Sequence, residues 1–272
     1  MAHTARKRFG QNFLHDANII ERIIASIGAT AEQHVIEIGP GKGALTEHLA
    51  AAAGKLDVIE LDRDLIPILE QRFGTVEHFK IHNADALQFD FSTLLESGTE
   101  KLRLVGNLPY NISTPLIFHL LDSVDIIEDM HFMLQKEVVE RLTASPNSKA
   151  YGRLSILVQY LCHAQKLFIV PPGAFTPAPK IDSAIVQISP RSLAANQQLS
   201  TDAQLSDLSF IAKSAFAQRR KTLRNNFKKI FSAEAISLCD IDLGRRAETL
   251  SIDEFVTLTN HYIQHNTTGG SE

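Results

Sequence analysis

The chain has little of what would mark a secreted, membrane or metal-binding protein. It carries two cysteines in 272 residues, Cys162 inside an apolar run and Cys239 far away in sequence. That pair offers neither a disulfide framework nor a zinc-ligand spacing, and a reducing, cytoplasmic setting is expected. No stretch approaches the roughly 20 apolar residues of a membrane span. The segment Met1 to Gly10 is basic and polar, without the apolar centre of a signal peptide, so export is not expected either. His48, His78, His82 and His131 are scattered without ligand spacing and read as surface or packed residues, with no metal site. Internal repeats and low-complexity tracts are absent. Acids are missing from two places. None precedes Asp16, although His3, Arg6, Lys7 and Arg8 stand there, and none lies between Lys213 and Lys229. The net charge of −4 argues weakly against a polyanionic partner, but local fields matter more than the sum.

What is present is an ordinary globular composition, 44% apolar, long enough for one large domain with an appendage. Ile19, Ile20, Ile23, Ile24 and Ile27 recur at helical spacing, with Asp16 placed to cap the helix. Strands and helices then alternate. Val35 to Ile38 reads as a strand, Leu45 to Ala52 as a helix, Leu56 to Leu61 as a strand and Leu65 to Leu69 as a helix. Strands follow at Phe79 to Ile81 and Leu102 to Val105, and a helix starts at Ser113 or Thr114, with a cap and Pro115 in its first turn. His131 to Leu134 is a strand, Val138 to Leu142 and Leu154 to Leu161 are helices, and Gln165 to Val170 and Ser183 to Ser189 are strands bracketing the loop Pro171 to Lys180. This alternation predicts an α/β doubly wound, mostly parallel sheet whose ligands sit at the carboxyl ends of the strands. The expected domains are 1–190 for the sheet, 191–204 for a linker, 205–266 for a smaller all-α domain and 267–272 for a disordered tail. In the all-α part, Phe216, Leu223, Phe227 and Ile230 form one helix face; Ile252, Phe255, Val256 and Leu258 belong to another segment.

Chemistry-bearing motifs fall at the strand ends. Glu37-Ile38-Gly39-Pro40-Gly41-Lys42-Gly43 follows the first strand and opens a helix, so a ligand can approach its backbone closely. Pro40 removes an N–H that a pyrophosphate would need, and the spacing is not that of a dinucleotide fingerprint; a nucleoside with an uncharged tail fits better. Glu60 ends the second strand, roughly 20 residues on, where an acid accepts hydrogen bonds from ribose hydroxyls. Asp62 would point to the opposite side and is secondary. Asp85, in Asn83-Ala84-Asp85-Ala86, can accept from an adenine amino group or simply form a turn. Asn107-Leu108-Pro109-Tyr110 follows the fourth strand. The Asn107 side-chain oxygen and the Leu108 carbonyl can accept the N–H bonds of an exocyclic amine in adenine or cytosine. Tyr110 can hold the base flat, stacking being worth roughly 1–3 kcal/mol. Phe175, held in a loop by Pro171, Pro172, Pro177 and Pro179, either supplies a second face for the base or anchors the loop to the core.

With these elements in chain order, the sequence resembles S-adenosylmethionine-dependent methyltransferases that modify exocyclic amines, and among them the ribosomal RNA adenine dimethyltransferases. The resemblance covers nearly the whole chain: Arg8 to Leu14, Glu37 to Gly43, Val58 to Asp62, Asn107 to Tyr110, Phe175 to Ser183, and Phe216 to Arg224 with Gln218-Arg219-Arg220-Lys221. The Phe9 to Leu14 opening and the Gln218 to Lys221 run make it more similar to the bacterial small-subunit (16S) dimethylases than to the resistance enzymes acting on the large subunit. The resemblance implies a Rossmann-like methyltransferase sheet and S-adenosylmethionine as cofactor. Asn12 and Leu14 would hold its methionine end, Gly39 and Gly41 would pass beneath it, Glu60 would take the ribose and Asp85 the adenine, and Asn107 would face both cofactor and target. Lys42 and Gly43 occupy variable positions. The implied substrate is small-subunit ribosomal RNA or a pre-ribosomal small subunit, dimethylated at N6 of two adjacent adenines in a 3′-terminal hairpin loop, with a role in subunit biogenesis; a monomer is expected.

The implied mechanism needs no metal and no strong base. Asn107 and Leu108 accept the N6 protons as the amine becomes tetrahedral and attacks the sulfonium methyl in line, and water takes the proton afterwards. Tyr110 and Phe175 would form a slot for a flipped-out base. In the second domain, Arg220, Arg224 and Lys228 at i, i+4 and i+8, with Arg219 and Lys221 beside them, are predicted to contact phosphates. Two other functions fit less well. A DNA adenine N6-methyltransferase usually carries an Asp-Pro-Pro-Tyr type tip, and a non-catalytic assembly or transcription factor would not need Glu60, Asp85 and Asn107.

Overall fold

A computed structural model describes residues 11–95, 101–192 and 198–266. The arm Arg6-Lys7-Arg8 and residues 267–272 lie outside the described residues. The chain divides into two compact units, one made of residues 1–139 and 163–190 and the other of 140–162 and 191–272.

The first unit is built on a seven-stranded sheet. Its strands are β2 (His34–Ile38), β3 (Lys55–Glu60), β4 (Phe79–Asn83), β5 (Leu102–Asn107), β6 (Ile127–Gln135), β7 (Cys162–Val170) and β9 (Ser183–Pro190), in the spatial order β4-β3-β2-β5-β6-β9-β7. From β4 to β6 all pairings are parallel, and β9 runs antiparallel to β6. β2 is buried along its whole length, as a central parallel strand covered on both faces must be. Chain order reverses beside β2: β3 and β4 extend the sheet to one side, β5 and β6 to the other. A crevice opens at such a switch point, outside the carboxyl ends of β2 and β5. A second, two-stranded ladder pairs β1 (Phe13–Leu14) with β8 (Phe175–Thr176), Leu14 opposite Phe175. It was not legible in the sequence, because two-residue strands carry no periodicity.

The helices of this unit are α1 (Ala17–Ile27), α2 (Thr46–Ala52), α3 (Ile66–Phe73) and α4 (Ser113–Leu121), and α5 (Lys136–Leu142) follows β6 across the boundary at residue 139. The Asp16 carboxylate accepts the Ile19 N–H at the start of α1, and Gly28 ends it at φ 57. The predicted cap of α4 is absent. Ile112 takes that position without a side-chain bond, and the Ser113 hydroxyl donates to the Pro109 carbonyl instead. Arg103 on β5 is buried. It pairs with Asp129 on β6 through two bonds of 2.9 and 2.8 Å and donates to the Ile27 and Gly28 carbonyls at the end of α1. The guanidinium therefore satisfies helix-end carbonyls that would otherwise be orphans. His34 and His82 both meet the Asp57 carboxylate, which holds Asp57 far below the usual carboxylate range despite burial. His131 is buried as well. Among the described residues no helix is long and apolar enough to cross a membrane.

The second unit corrects two expectations. The boundary is not a single break near residue 190, since residues 140–162 fold with the C-terminal part. Their helix α6 (Arg153–Leu161) is apolar on several sides, burying Ile156, Leu157, Val158 and Tyr160, and it packs on α7 (Leu205–Ala215) and α10 (Ile252–Asn266). The linker residues Leu199 and Ser200 are tied down by the Tyr160 hydroxyl and the Asn260 side chain. The second correction concerns the basic segment, which is not one helix. α7 ends before Phe216, residues 216–222 form turns, and α8 (Leu223–Phe227) is short. The N–H groups of Leu223 and Arg224 are satisfied by the carbonyls of Arg245 and Leu243, which redirects the chain. Arg220, Arg224 and Lys228 thus occupy a turn, a helix and its cap rather than one helical stripe. α9 (Ala233–Ser237) completes the unit. Phe227 and Phe255 are buried in its core, with Phe216 stacked on Phe255.

Candidate active site

The crevice at the switch point is a cavity that gathers nearly every residue singled out in the sequence of this unit. Asn12, Leu14, Gly39, Gly41, Glu60 and Asp85 line it, and so do Asn107, Leu108, Tyr110 and Phe175. Gly39 and Gly41 have φ of 70 and 59, and a Cβ on Gly41 would stand 3.2 Å from the Phe13 ring. Other residues are strained at such angles, so the loop keeps a low backbone wall on which a ligand can lie.

Glu60 is fixed by the backbone. Its Oε2 accepts the Gly41 N–H at 3.2 Å and its Oε1 the Asp62 N–H at 2.8 Å. Burial pushes this carboxyl above its ordinary value, and the two N–H groups oppose that rise. Each oxygen keeps lone-pair capacity for hydroxyl donors. Asp62 does not lie on an open opposite side. It is buried and accepts a bond from Gln11 Nε2 at 3.0 Å, because β3 has ended at Glu60. Asp85 forms a turn, one oxygen accepting the Leu87 N–H at 3.0 Å, and the residue also lines the cavity.

The tip after β5 is held from three directions. Leu108 N–H donates to the Met133 carbonyl at 3.2 Å, Asn107 Nδ2 donates to the Asn12 carbonyl at 3.0 Å, and the Tyr110 and Ser183 hydroxyls are 2.9 Å apart. The bond to Asn12 uses an amide N–H and leaves the amide oxygen as an acceptor. Phe175 is 3% exposed and packs with Leu14, Phe168 and Val170 in the core. It is an anchor for the loop as well as part of the cavity wall.

The family model for ribosomal RNA adenine dimethylase matches residues 2–264. The chain belongs to that family. Among its relatives, ribosomal RNA small subunit methyltransferase A of Pseudomonas aeruginosa is 57% identical over 258 residues, covering 95% of this chain and 94% of the relative. The protein of the same name from Chromohalobacter salexigens is 54% identical over 267 residues, covering 96% and 92%. Among solved structures, a dimethyladenosine transferase from Plasmodium falciparum matches with a TM-score of 0.75 and 25% identity over 90% of this chain and 95% of the other. The 23S rRNA methyltransferase ErmE matches with a TM-score of 0.66 and 22% identity over 92% and 99%, a likeness of fold.

Some lining residues carried no assigned role in the sequence. Glu37 is fully buried beneath the glycine loop, accepts the Thr46 hydroxyl at 2.6 Å, and burial pushes its carboxyl up to about 7. Leu61 is 49% exposed at the cavity and offers an apolar surface to a flat ring; in sequence it reads only as a strand end. In the second unit, Arg220, Lys221, Arg224 and Lys228 are exposed. Arg219 is exposed too but donates to the Tyr151 carbonyl at 2.8 Å and lies over the Phe216 ring. Its charge is partly engaged in holding that unit together.

Proposed function

We propose that this protein uses S-adenosylmethionine to dimethylate N6 of two adjacent adenines in a 3′-terminal hairpin loop of small-subunit ribosomal RNA, acting as a cytoplasmic monomer during subunit assembly. The observation that carries this reading is the meeting of the Asn107 to Tyr110 tip with the Gly39 to Gly43 loop across the β2–β5 switch point. The cavity wall suits that cofactor. The glycine backbone leaves room for a nucleoside, Glu60 would take the ribose hydroxyls on its two oriented carboxylate oxygens, Asp85 would accept from the adenine amine, and Asn12 and Leu14, which line the same cavity, would hold the methionine end. When bound, S-adenosylmethionine supplies an electrophilic methyl group.

This chain's residues then position the amine. Asn107 Oδ1 and the Leu108 carbonyl accept its two N–H bonds, which directs the lone pair toward the cofactor side of the crevice and stabilises positive charge as it develops on nitrogen. Tyr110 holds the base flat, with Phe175 closing the slot from the loop. Such positioning needs the base out of its stack, and the exposed cations Arg220, Lys221, Arg224 and Lys228, with Arg219, are suited to holding the RNA backbone.

The test is product identification. Purified protein and methyl-labelled S-adenosylmethionine are incubated with unmodified small ribosomal subunits, naked ribosomal RNA and DNA, followed by digestion to nucleosides. Label in N6,N6-dimethyladenosine from small-subunit RNA is expected. Label in DNA alone, or in no nucleic acid, would overturn the reading.

A further inference from the structure

We propose that Ser183 is a positioning residue that holds the Tyr110 ring in the orientation the target base requires, through the hydrogen bond between the two hydroxyls. The inference rests on Tyr110 being the base platform proposed above. The 2.9 Å contact joins the tip after β5 to the first residue of β9, segments 73 residues apart. Ser183 is itself firmly placed. It is 1% exposed, stands opposite Gln135 in the antiparallel β6–β9 register, and follows Asp182, whose carbonyl accepts the Lys136 N–H at 3.0 Å. A hydroxyl this buried must be paired, and Tyr110 is the partner.

Tyr110 is only half-buried, so packing alone leaves its ring room to swing. Pro109 restricts the backbone before it, but the side-chain torsions remain. Swinging outward would break this bond and take from the Ser183 hydroxyl its partner, which favours one setting of the ring. This also gives tyrosine a purpose at the position. Phenylalanine would stack as well and could not be tethered.

The experiment is a double-mutant cycle in the full-length protein, with single-turnover methyl transfer to small ribosomal subunits and calorimetric S-adenosylmethionine affinity as paired readouts. Ser183→Ala and Tyr110→Phe should each slow methyl transfer by about 3- to 10-fold, the worth of one hydrogen bond, and the double variant should be no slower than either. Cofactor affinity should stay within about 2-fold, whereas general damage to the fold would lower both readouts. Ser183→Thr, which keeps the hydroxyl, should restore the rate; a Thr variant as slow as Ala would overturn the proposal, provided its cofactor affinity shows it folded. Tyr110→Leu separates this inference from the reading beneath it. If Tyr110→Leu is slow and Ser183→Ala reacts at the wild-type rate, the tether is refuted and the platform stands. If Tyr110→Leu itself reacts at the wild-type rate, the platform falls and the tether with it.

Discussion

Replacing Gly106 by alanine should disable the site while leaving most of the fold intact. Gly106 stands on β5, one residue before Asn107 and just past the last β2–β5 pair, Glu37 opposite Val105. A Cβ there would lie 2.6 Å from the Ile38 carbonyl oxygen and 2.9 Å from a Leu108 methyl. The first of these is backbone at the very end of β2, next to Gly39, and it cannot rotate away. Reaching ordinary van der Waals separation at 3.4 Å requires the two strand ends to part by about 0.8 Å. That separates the Asn107 to Tyr110 tip from the glycine loop, the two halves of the proposed site. The overpacking should cost about 1–3 kcal/mol of stability. A misplacement of about 1 Å is expected to slow methyl transfer on the order of 10²-fold. Single-turnover transfer to small ribosomal subunits at saturating labelled cofactor measures the effect, and urea unfolding measures the stability. A Gly106→Ala protein that transfers methyl groups at the wild-type rate would show that the spacing between β2 and β5 does not set the reaction geometry.

Glu60→Ala should weaken S-adenosylmethionine binding by about 1.5–3 kcal/mol, the worth of a charged acceptor, or about 10- to 150-fold in Kd; unchanged affinity by calorimetry removes Glu60 from the ribose site. Glu37 makes stability depend on pH. Its folded carboxyl, pushed up to about 7 from 4.5, favours folding most below about pH 4.5, and that contribution is lost as pH rises through 7, a swing of about 3 kcal/mol. Glu37→Gln should gain stability over wild type on going from pH 5 to pH 8, and urea unfolding that finds a pH-independent difference between them contradicts this. Replacing Arg220, Arg224 and Lys228 together by Gln should weaken binding to small subunits and flatten its log–log salt dependence by about 0.7–0.9 for each phosphate no longer neutralised, with cofactor affinity unchanged. If slope and affinity stay as in wild type, the arm Arg6-Lys7-Arg8 becomes the better candidate.

The strands were readable because apolar runs such as Val35 to Ile38 and Leu102 to Val105 are buried on both faces of a parallel sheet, and glycine, acid and Asn-Leu-Pro-Tyr signals mark their carboxyl ends. Those local signals also identified the cavity residues, since a switch point collects whatever follows its strands. What pairs across long separations left no periodic trace. The β1–β8 ladder, the Gln11–Asp62 bond and the Tyr110–Ser183 bond each join only one or two residue pairs brought together by the folded chain. The basic segment shows the opposite failure. Its spacing from Phe216 to Lys228 suits a continuous helix, but the carbonyls of Leu243 and Arg245 capture the N–H groups of Arg224 and Leu223 and divide it. Residues 140–162 likewise follow β6 in sequence yet belong with α7 and α10, because α6 buries apolar side chains on more than one side and packs on those two helices. Sequence alone determined which residues carry groups suited to the proposed chemistry, through residue type and short-range order. Tertiary structure decided which of them are fixed, by which backbone groups and at what separation, since burial and long-range hydrogen bonds exist only once the chain has closed on itself.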